Sequence, residues 1–491
     1  MHDLIRDLAQ SIGSKDFKML GHDVAQGSMA RAYHLSILCH SDPASLPKEL
    51  YGAKDLRTLL FLFCTRDVPS SFPLNFQYLR VLDLSGCVKK VHELNSDLIC
   101  LRYLDLSNTS IQSLPHAICN LCNMQTLNLS SCGNLLELPF GLANITGLRH
   151  LNIVGCESLT RLPAGLGNFQ LQTLPLYIVG KEIGESISEI ICLNLRGELS
   201  IRCLENIRDK EEATLANLRA KKYVELLSLQ WGRGNEEKIV KLATGSTSYE
   251  VCREVDGTSR SLQSDNDIVV ECILECLHPH VNLKKLYIKG YPGFKFPDWD
   301  LPNLVLIVLI NCRGCDTLST LGKLPFLKTL CLQGMDGVTH ISEEFYGVET
   351  LKLPSLEKLT IRDLPFFMVL HRQWSSISSP AKQPDFSNKW VPPSNSLRTA
   401  LIVMVALDLP DWLAKLSSLR SLAISNCTHL MSLPEGLKHL NTLQHLSIQD
   451  CPHLERLCKK KGKEWRKVAH TPHIYVGSRK KKGKERLLTP Y

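Results

Sequence analysis

Two pairs of cysteines have the spacing that metal sites use, and they are the first residues to consider for chemistry. Cys119 and Cys122, and again Cys312 and Cys315, are separated by two residues. A structural zinc site needs a second such pair, or a pair of histidines, at a matching distance, and neither pair has one. The seventeen histidines form no HExxH or other paired-ligand pattern. We therefore assign no residue to a metal site.

Nucleotide hydrolysis and nucleophilic catalysis also lack their signatures. A phosphate-binding loop requires GxxxxGK followed by Ser or Thr, because backbone N–H groups cradle the phosphates and the hydroxyl binds Mg²⁺. The four Gly-Lys pairs of this chain are followed by Glu or Leu. The turn GxSxG, which exposes a catalytic serine in many hydrolases, does not occur. The sequence predicts no catalytic residue and no cofactor, so we expect a chain that is not an enzyme.

A short apolar pattern organises the chain instead. LxxLxL, with Ile, Val, Met or Phe sometimes in place of Leu, recurs from Leu56 to Leu443. The six instances that begin between Leu56 and Leu171 are 22 to 24 residues apart, which is the period of leucine-rich repeats. Thirteen clear instances begin at Leu56, Leu79, Leu101, Met124, Leu148, Leu171, Val224, Leu283, Leu304, Leu327, Leu356, Leu419 and Leu443.

Each repeat contains a strand, a turn and a returning segment. In LRVLDLSGC (79–87), Leu82 and Leu84 alternate with outward residues, the two-residue period of a strand with one buried face. Stacked strands share a continuous core, so we predict a leucine-rich-repeat solenoid, an α/β horseshoe with a concave parallel sheet and an irregular convex side. The turn position takes a small side chain that can bond to neighbouring backbone: Cys87, Thr109, Cys132, Cys156, Cys312, Cys427 and Cys451.

Several segments outside this pattern resemble one family. The opening Met1-His2-Asp3-Leu4 resembles the MHD segment that closes the nucleotide-binding module of plant coiled-coil nucleotide-binding leucine-rich-repeat disease-resistance proteins. The resemblance implies that the chain is the C-terminal repeat portion of such a protein. The other similar segments are DKEEATLANLRAKKYVELLSLQW (209–231), LHPHVNLKKLYIKGYPGFKFPDW (277–299), LGKLPFLKTLCLQGMDGVTHISEEFYG (321–347) and EWRKVAHTPHIYV (464–476).

The resemblance also implies a function and its partners. The domain would recognise a pathogen effector or a guarded host protein and regulate a nucleotide-dependent switch, in the cytoplasm. ADP or ATP would bind only to an upstream nucleotide-binding module. His2 and Asp3 match the family's MHD motif, but we interpret Asp3 here as the cap of a short helix. The alternative function is a stand-alone adaptor or decoy without a switch.

Loss of the repeat period and changes of composition set the expected domain boundaries. Two polar segments are expected to project as loops, and a basic tail is expected to follow a cap. The boundaries are 1–30 for the remnant of the nucleotide-binding module, 31–231 for the N-terminal repeats, 232–266 for a polar loop, 267–370 for the middle repeats, 371–396 for a Ser/Pro-rich loop, 397–458 for the C-terminal repeats and 459–491 for the cap and tail.

Residues expected to contact a partner lie on the concave face. The first variable position of successive strands is often basic, and stacking would place these side chains in one column whose potentials add. The alternative is that Asp83 and Asp105 neutralise the arginines across strands, which leaves a solvated face. Aromatic residues on the same face, Tyr177 among them, add contact area. The residues predicted to bind a partner are Arg80, Arg102, Arg149, Tyr103, His150, Lys284, Tyr287, Lys328 and Arg420.

Charge and hydropathy exclude other classes of protein. The net charge of +8 arises from the tail, where residues 459–491 hold twelve Lys or Arg and two Glu. A charge run of this kind lacks the interleaved aromatic residues of a nucleic-acid site, so we expect no nucleic-acid partner. The apolar run LIVMVAL (401–407) is too short to span a membrane. Nineteen cysteines without a visible secretory signal indicate free thiols in a reducing compartment.

Overall fold

A computed structural model describes most of the repeats. The chain divides into two compact units, Met1–Val224 with Gly232–Ser246, and Glu225–Trp231 with Thr247–Tyr491. We call them the N-terminal unit and the C-terminal unit and describe each by itself. The described residues are 16–20, 32–38, 50, 53–62, 76–86, 98–232, 265–315, 324–337, 355–362, 398–403, 409, 418–459 and 462–477.

Short parallel strands, paired in chain order, form the sheet of the N-terminal unit. Leu82 lies opposite Leu104, which lies opposite Leu127, and all three side chains are fully buried. Each buried leucine contributes about 1.5–3 kcal/mol of transfer free energy, so one such column stabilises the stack considerably. The strands are β1 (Phe17–Leu20), β2 (His34–Leu38), β3 (Thr58–Leu62), β4 (Val81–Asp83), β5 (Tyr103–Asp105), β6 (Thr126–Asn128) and β7 (His150–Asn152), followed by the parallel pair β8 (Leu176–Ile178) and β9 (Arg196–Arg202).

The turn after each strand follows one rule. Gly86, Asn108, Ser131 and Gly155 occupy equivalent positions, and each has a positive φ between 55° and 76°. Glycine and asparagine adopt this left-handed conformation at the lowest cost, which explains their recurrence there.

The next residue in each turn is small and buried, as predicted. The Oγ1 of Thr109 donates to the carbonyl of Leu106 at 2.7 Å. The Sγ of Cys132 donates to the same carbonyl at 3.1 Å, and the Sγ of Cys156 donates to that of Leu129 at 3.1 Å. The prediction that these side chains bond neighbouring backbone is confirmed, whereas Cys87 lies outside the described residues.

Among the described residues, the return segments of the N-terminal unit are 3₁₀ turns and one short helix. His116–Asn120 and Phe140–Asn144 are 3₁₀ turns that each follow a proline, whose fixed φ suits an extended entry to the turn. Helix α1 (Lys210–Leu215) begins after Asp209, which accepts the Glu212 N–H at 2.7 Å as an N-cap.

The C-terminal unit repeats the same architecture. Parallel strands are again paired in chain order, and the 12-residue helix α2 (Asp265–Cys276) buries Ile273 and Leu274. The strands are β10 (Tyr223–Gln230), of which residues 225–230 belong to this unit, β11 (Lys285–Lys289), β12 (Leu306–Ile310), β13 (Thr329–Gln333), β14 (Lys358–Arg362), β15 (Thr399–Val403), β16 (Ser421–Ser425), β17 (His445–Gln449) and β18 (His473–Val476).

A compact cap follows the last repeat. Helices α3 (Pro452–Leu457) and α4 (Trp465–Val468) precede β18, which pairs with β17. Lys467 Nζ donates to the carbonyl of Leu433 at 2.7 Å, and Glu464 accepts the Leu433 N–H at 2.9 Å. Lys467 Nζ also lies 2.8 Å from Glu464. The two members of this ion pair therefore satisfy both backbone groups of Leu433.

The strands, turns and core make each unit a leucine-rich-repeat solenoid, so the predicted fold class is confirmed. Most of the predicted loop 232–266, all of the predicted loop 371–396 and the basic residues after Gly477 lie outside the described residues.

Candidate functional site

The start of each strand in the N-terminal unit places one residue in a continuous column. Each of these residues directly follows a buried Leu or Met, and its N–H donates to the carbonyl of the equivalent residue one repeat earlier. These hydrogen bonds are 2.7–2.9 Å long, beginning with the bond from Arg57 to the Tyr33 carbonyl. The members, called the basic column below, are Arg57, Arg80, Arg102, Gln125, Arg149, Gln172 and Arg196.

The basic column is a strip of positive charge. It contains five arginines and no acidic residue. The guanidinium of Arg57 lies 4.6 Å from the ring centroid of Tyr33, and that of Arg196 lies 4.8 Å from that of Tyr223. Within the described part of the chain, exposed Arg80, Arg102 and Arg149 form no ion pair.

Among the described residues, the neighbouring aspartates Asp83 and Asp105 form no ion pair with this strip. Asp83 accepts the Ser85 N–H at 2.9 Å, and Asp105 accepts the Ser107 N–H at 2.8 Å. One strand later, Asn128 likewise accepts the N–H of the residue two positions after it, at 3.2 Å. These side chains fasten the turn after each strand, as Asp and Asn commonly do.

Tyr103 and His150 lie on the outward strand face, by which we mean the side of each strand that points away from the core. Both are half-buried. The Tyr103 hydroxyl donates to Asp105 at 2.8 Å, and burial together with this carboxylate raises the pKa of Tyr103 to about 12. The Nδ1 of His150 lies 2.9 Å from Thr173 Oγ1. Both side chains are thus held in place beside the basic column.

Tyr177 is not available for contact, and its prediction as an exposed aromatic is wrong. Its side chain is 1% exposed, and its hydroxyl donates to the Ser186 carbonyl at 2.6 Å. The apolar sequence around it places all three residues of β8 in the core.

The equivalent column of the C-terminal unit contains both signs of charge, because Glu225 and Glu357 lie among its lysines and arginines, so the predicted positive potential is weakened there. The Nζ of Lys284 lies 2.9 Å from Glu225 Oε1, and the Nζ of Lys328 lies 3.4 Å from Glu357 Oε1. Arg420 is exposed and lies later in the same column, which main-chain hydrogen bonds connect. Two of the three predicted cations are therefore neutralised by the strand next to them.

The prediction that Tyr287 is available to a partner is also wrong. It lies on β11 between inward-facing Leu286 and Ile288, yet only 5% of its surface is exposed. Its register neighbours Ser228 and Val308 are buried too, at 5% and 0%. The outward strand face of β10 to β12 is thus closed to solvent at this position, which removes Tyr287 from the partner-binding set.

Arg57 and Arg196 are members of the basic column that the sequence prediction omitted. A signal for them was present, because both directly follow a leucine at the start of a repeat strand, as Leu56-Arg57 and Leu195-Arg196. Glu225 and Glu357 likewise follow a buried Val or Leu at the start of a strand in the C-terminal unit, and they lower the net positive charge of the column there.

The other candidate residues have structural roles or lie outside the described residues. Cys315 Sγ donates to the Gly293 carbonyl at 3.2 Å, and Cys312 is fully buried in its turn. Among the described residues, no group of three or more His, Cys, Asp or Glu side chains could hold a metal ion. No helix in the same residues is long and apolar enough to cross a membrane. His2 and Asp3 lie outside the described residues.

Comparison with known proteins identifies similar sequences. The repeats described as R13L1/DRL21 LRRs match residues 187–335 and 370–451, and a general leucine-rich repeat matches residues 100–121. A disease-resistance protein of Arabidopsis thaliana is 36% identical over 362 residues, which cover 70% of this chain and 24% of the relative. Another from that plant, RPP13-like protein 1, is 36% identical over 394 residues, 74% of this chain and 35% of the relative.

A solved structure gives a further comparison. A leucine-rich-repeat protein of Leptospira interrogans aligns with 88% of this chain and 92% of its own, at 17% identity and a TM-score of 0.46. The chain spans about a quarter to a third of the length of the two plant relatives that it matches.

Proposed function

We propose that this chain, a leucine-rich-repeat solenoid whose homologues are plant disease-resistance proteins, is the protein-recognition and regulatory domain of a protein of that class. It acts by binding and not by catalysis, and it acts in the cytoplasm. The observation that carries the proposal is the basic column, in which Arg80, Arg102 and Arg149 are exposed and form no ion pair with any described residue.

The column suits an acidic protein surface. Its steps follow adjacent parallel strands, which lie about 4.8 Å apart, so the six steps from Arg57 to Arg196 extend over roughly 29 Å. Arginine presents a planar fork of donors to carboxylates, and a row of such groups steers an acidic partner toward the surface. Rows of this kind chiefly set association rate and specificity.

The nucleotide-binding module of the disease-resistance class is the first candidate for this partner. In this proposal the N-terminal unit holds that module in its inactive state through the basic column. The C-terminal unit recognises a pathogen effector or a guarded host protein. Binding of that second partner would shift the equilibrium between inactive and active states by its differential affinity for the two.

A triple variant tests the proposal. Arg80→Ser, Arg102→Ser and Arg149→Ser together should leave the unfolding temperature nearly unchanged, because these side chains form no ion pairs within the described structure. Binding to a separately produced nucleotide-binding module of a homologue should weaken, and its dependence on salt should decrease. Pull-down across a salt series and a thermal melt measure the two effects.

A matched control comes from the C-terminal unit. Lys284→Ser with Lys328→Ser also removes exposed cations at strand starts, but these two are already paired with Glu225 and Glu357. This variant should bind the module as the parent does. Equal binding by the parent and the triple arginine variant, with both folded, would refute the role of the basic column.

A further inference from the structure

The last two strands place two imidazoles side by side. His445 on β17 and His473 on β18 are partners in the parallel register. Their ring centroids are 4.8 Å apart, and their planes differ by 13°. Both residues are exposed at the C-terminal end of the sheet.

These two rings differ from other histidines at the same strand position. In the N-terminal unit, the Nδ1 of His34 lies 2.9 Å from Thr58 Oγ1, and that of His150 lies 2.9 Å from Thr173 Oγ1. Within the part of the chain that the structure describes, neither His445 nor His473 forms a side-chain hydrogen bond or an ion pair. Their ring nitrogens are therefore open to a ligand.

We propose that His445 and His473 form a two-histidine site for a borderline divalent transition metal, the class of Zn²⁺, Ni²⁺ and Cu²⁺. Neutral imidazole is a preferred ligand of these ions, whereas Mg²⁺ and Ca²⁺ prefer oxygen. A rotation of each exposed ring directs one nitrogen from each toward a shared ion, at about 2.0–2.1 Å for zinc. Water completes the coordination.

The site would connect the cap to the last repeat. β18 belongs to the cap, and β17 to the last repeat, so an ion held by both histidines adds a link between these two paired strands. An ion that binds the folded chain and not the unfolded chain stabilises the folded chain. The two ligands are 28 residues apart in sequence, which explains why no short metal-binding motif marks them.

Calorimetric titration of the full chain with Zn²⁺ tests the site. We expect one equivalent of Zn²⁺ to bind and His473→Gln to weaken that binding at least tenfold. His445→Gln should have the same effect. The matched control is His439→Gln, which removes another exposed histidine, in the turn Glu435–His439, and should leave the affinity unchanged.

Thermal unfolding gives a second readout that does not depend on total histidine content. Zn²⁺ should raise the unfolding temperature of the parent and of His439→Gln, but not that of His473→Gln, and Mg²⁺ should raise none of them. Circular dichroism without metal establishes that each variant is folded. Parent-like Zn²⁺ affinity in both His473→Gln and His445→Gln, or no binding of Zn²⁺, Ni²⁺ or Cu²⁺ by the parent, would overturn the proposal.

Discussion

Lys284 and Glu225 occupy equivalent positions on neighbouring strands, and the Nζ of Lys284 lies 2.9 Å from Glu225 Oε1. Their side chains remain 53% and 60% exposed, so water and salt screen the attraction. This pairing removes the charge of Lys284 from the surface potential without contributing much to the fold.

We therefore expect a weak energetic coupling between these two residues. A double-mutant cycle with Lys284→Ser and Glu225→Gln should give a coupling below about 1 kcal/mol, the usual range for exposed pairs. Urea denaturation of the four proteins measures it. A coupling of several kcal/mol would show that the pair supports the fold, and it would disqualify Lys284→Ser as a neutral control.

Asp105 should matter far more to stability. It is 7% exposed and accepts hydrogen bonds from the Tyr103 hydroxyl, the Ser107 N–H and the Asn128 amide at 2.7–2.8 Å. Asp105→Ala leaves these donors without their charged acceptor and should lower the free energy of unfolding by about 2–4 kcal/mol. Asp83→Ala is the control, since Asp83 is half-buried and accepts the Ser85 N–H, and its cost should be about 1 kcal/mol.

A pH titration of Tyr103 should report its hydrogen bond to Asp105. Its pKa rises from 10.0 to about 12 on folding, so the folded chain binds more protons than the unfolded chain between these values. The resulting stabilisation is complete below pH 10 and is lost as the pH rises through 12. Ultraviolet absorbance of the phenolate should show that Asp105→Ala moves this titration back toward pH 10. An unchanged titration would contradict the assigned hydrogen bond.

Lys221 should be essential to the N-terminal unit. Its Nζ is buried and donates to the carbonyls of Ile190, Ile191 and Leu193 at 2.6–2.8 Å. Burial lowers the pKa of Lys221 to about 8, so the ammonium persists at pH 7. Lys221→Met keeps the aliphatic stem but leaves these carbonyls unsatisfied, and it should cost about 2–4 kcal/mol in urea denaturation. The exposed Lys210→Met is the control, and equal effects would contradict the role of Lys221.

Thiol labelling should distinguish the turn cysteines from the surface cysteines. Cys122 and Cys192 are exposed, whereas Cys132 and Cys312 are buried. Burial raises the pKa of Cys132, and it raises that of Cys312 to about 12, which suppresses the reactive thiolate. Mass spectrometry after brief alkylation of the native protein should find only the exposed pair modified among these four. Early modification of Cys312 would show that its turn opens readily.

Much of the fold was predictable because each repeat needs few residues to specify it. Leu82 and Leu104 set the strand face, and Thr109 and Cys132 mark the turns, and the two members of each pair are one period apart. Such local rules are visible in a single sequence. The burial of Tyr177 was not, because β8 departs from the repeat pattern and buries all three of its residues, with the Tyr177 hydroxyl bonded to the Ser186 carbonyl.

The candidate site was only partly predictable for a related reason. Stacking correctly placed Arg80, Arg102 and Arg149 in one column, since their position after a leucine is a local property. Neutralisation of Lys284 depends on Glu225, which lies 59 residues away across an irregular stretch of sequence. Such long-range pairs can be predicted only when the register of the strands in the sheet is known.

The backbone ladder of the basic column also bears on how this surface can diversify. From Arg57 to Arg196 the hydrogen bonds are made by main-chain N–H and carbonyl groups, which every residue except proline supplies. Side chains at these positions can therefore change from one descendant gene to the next with little effect on folding. Selection by a changing partner can act on them one repeat at a time, while the leucines behind them stay fixed.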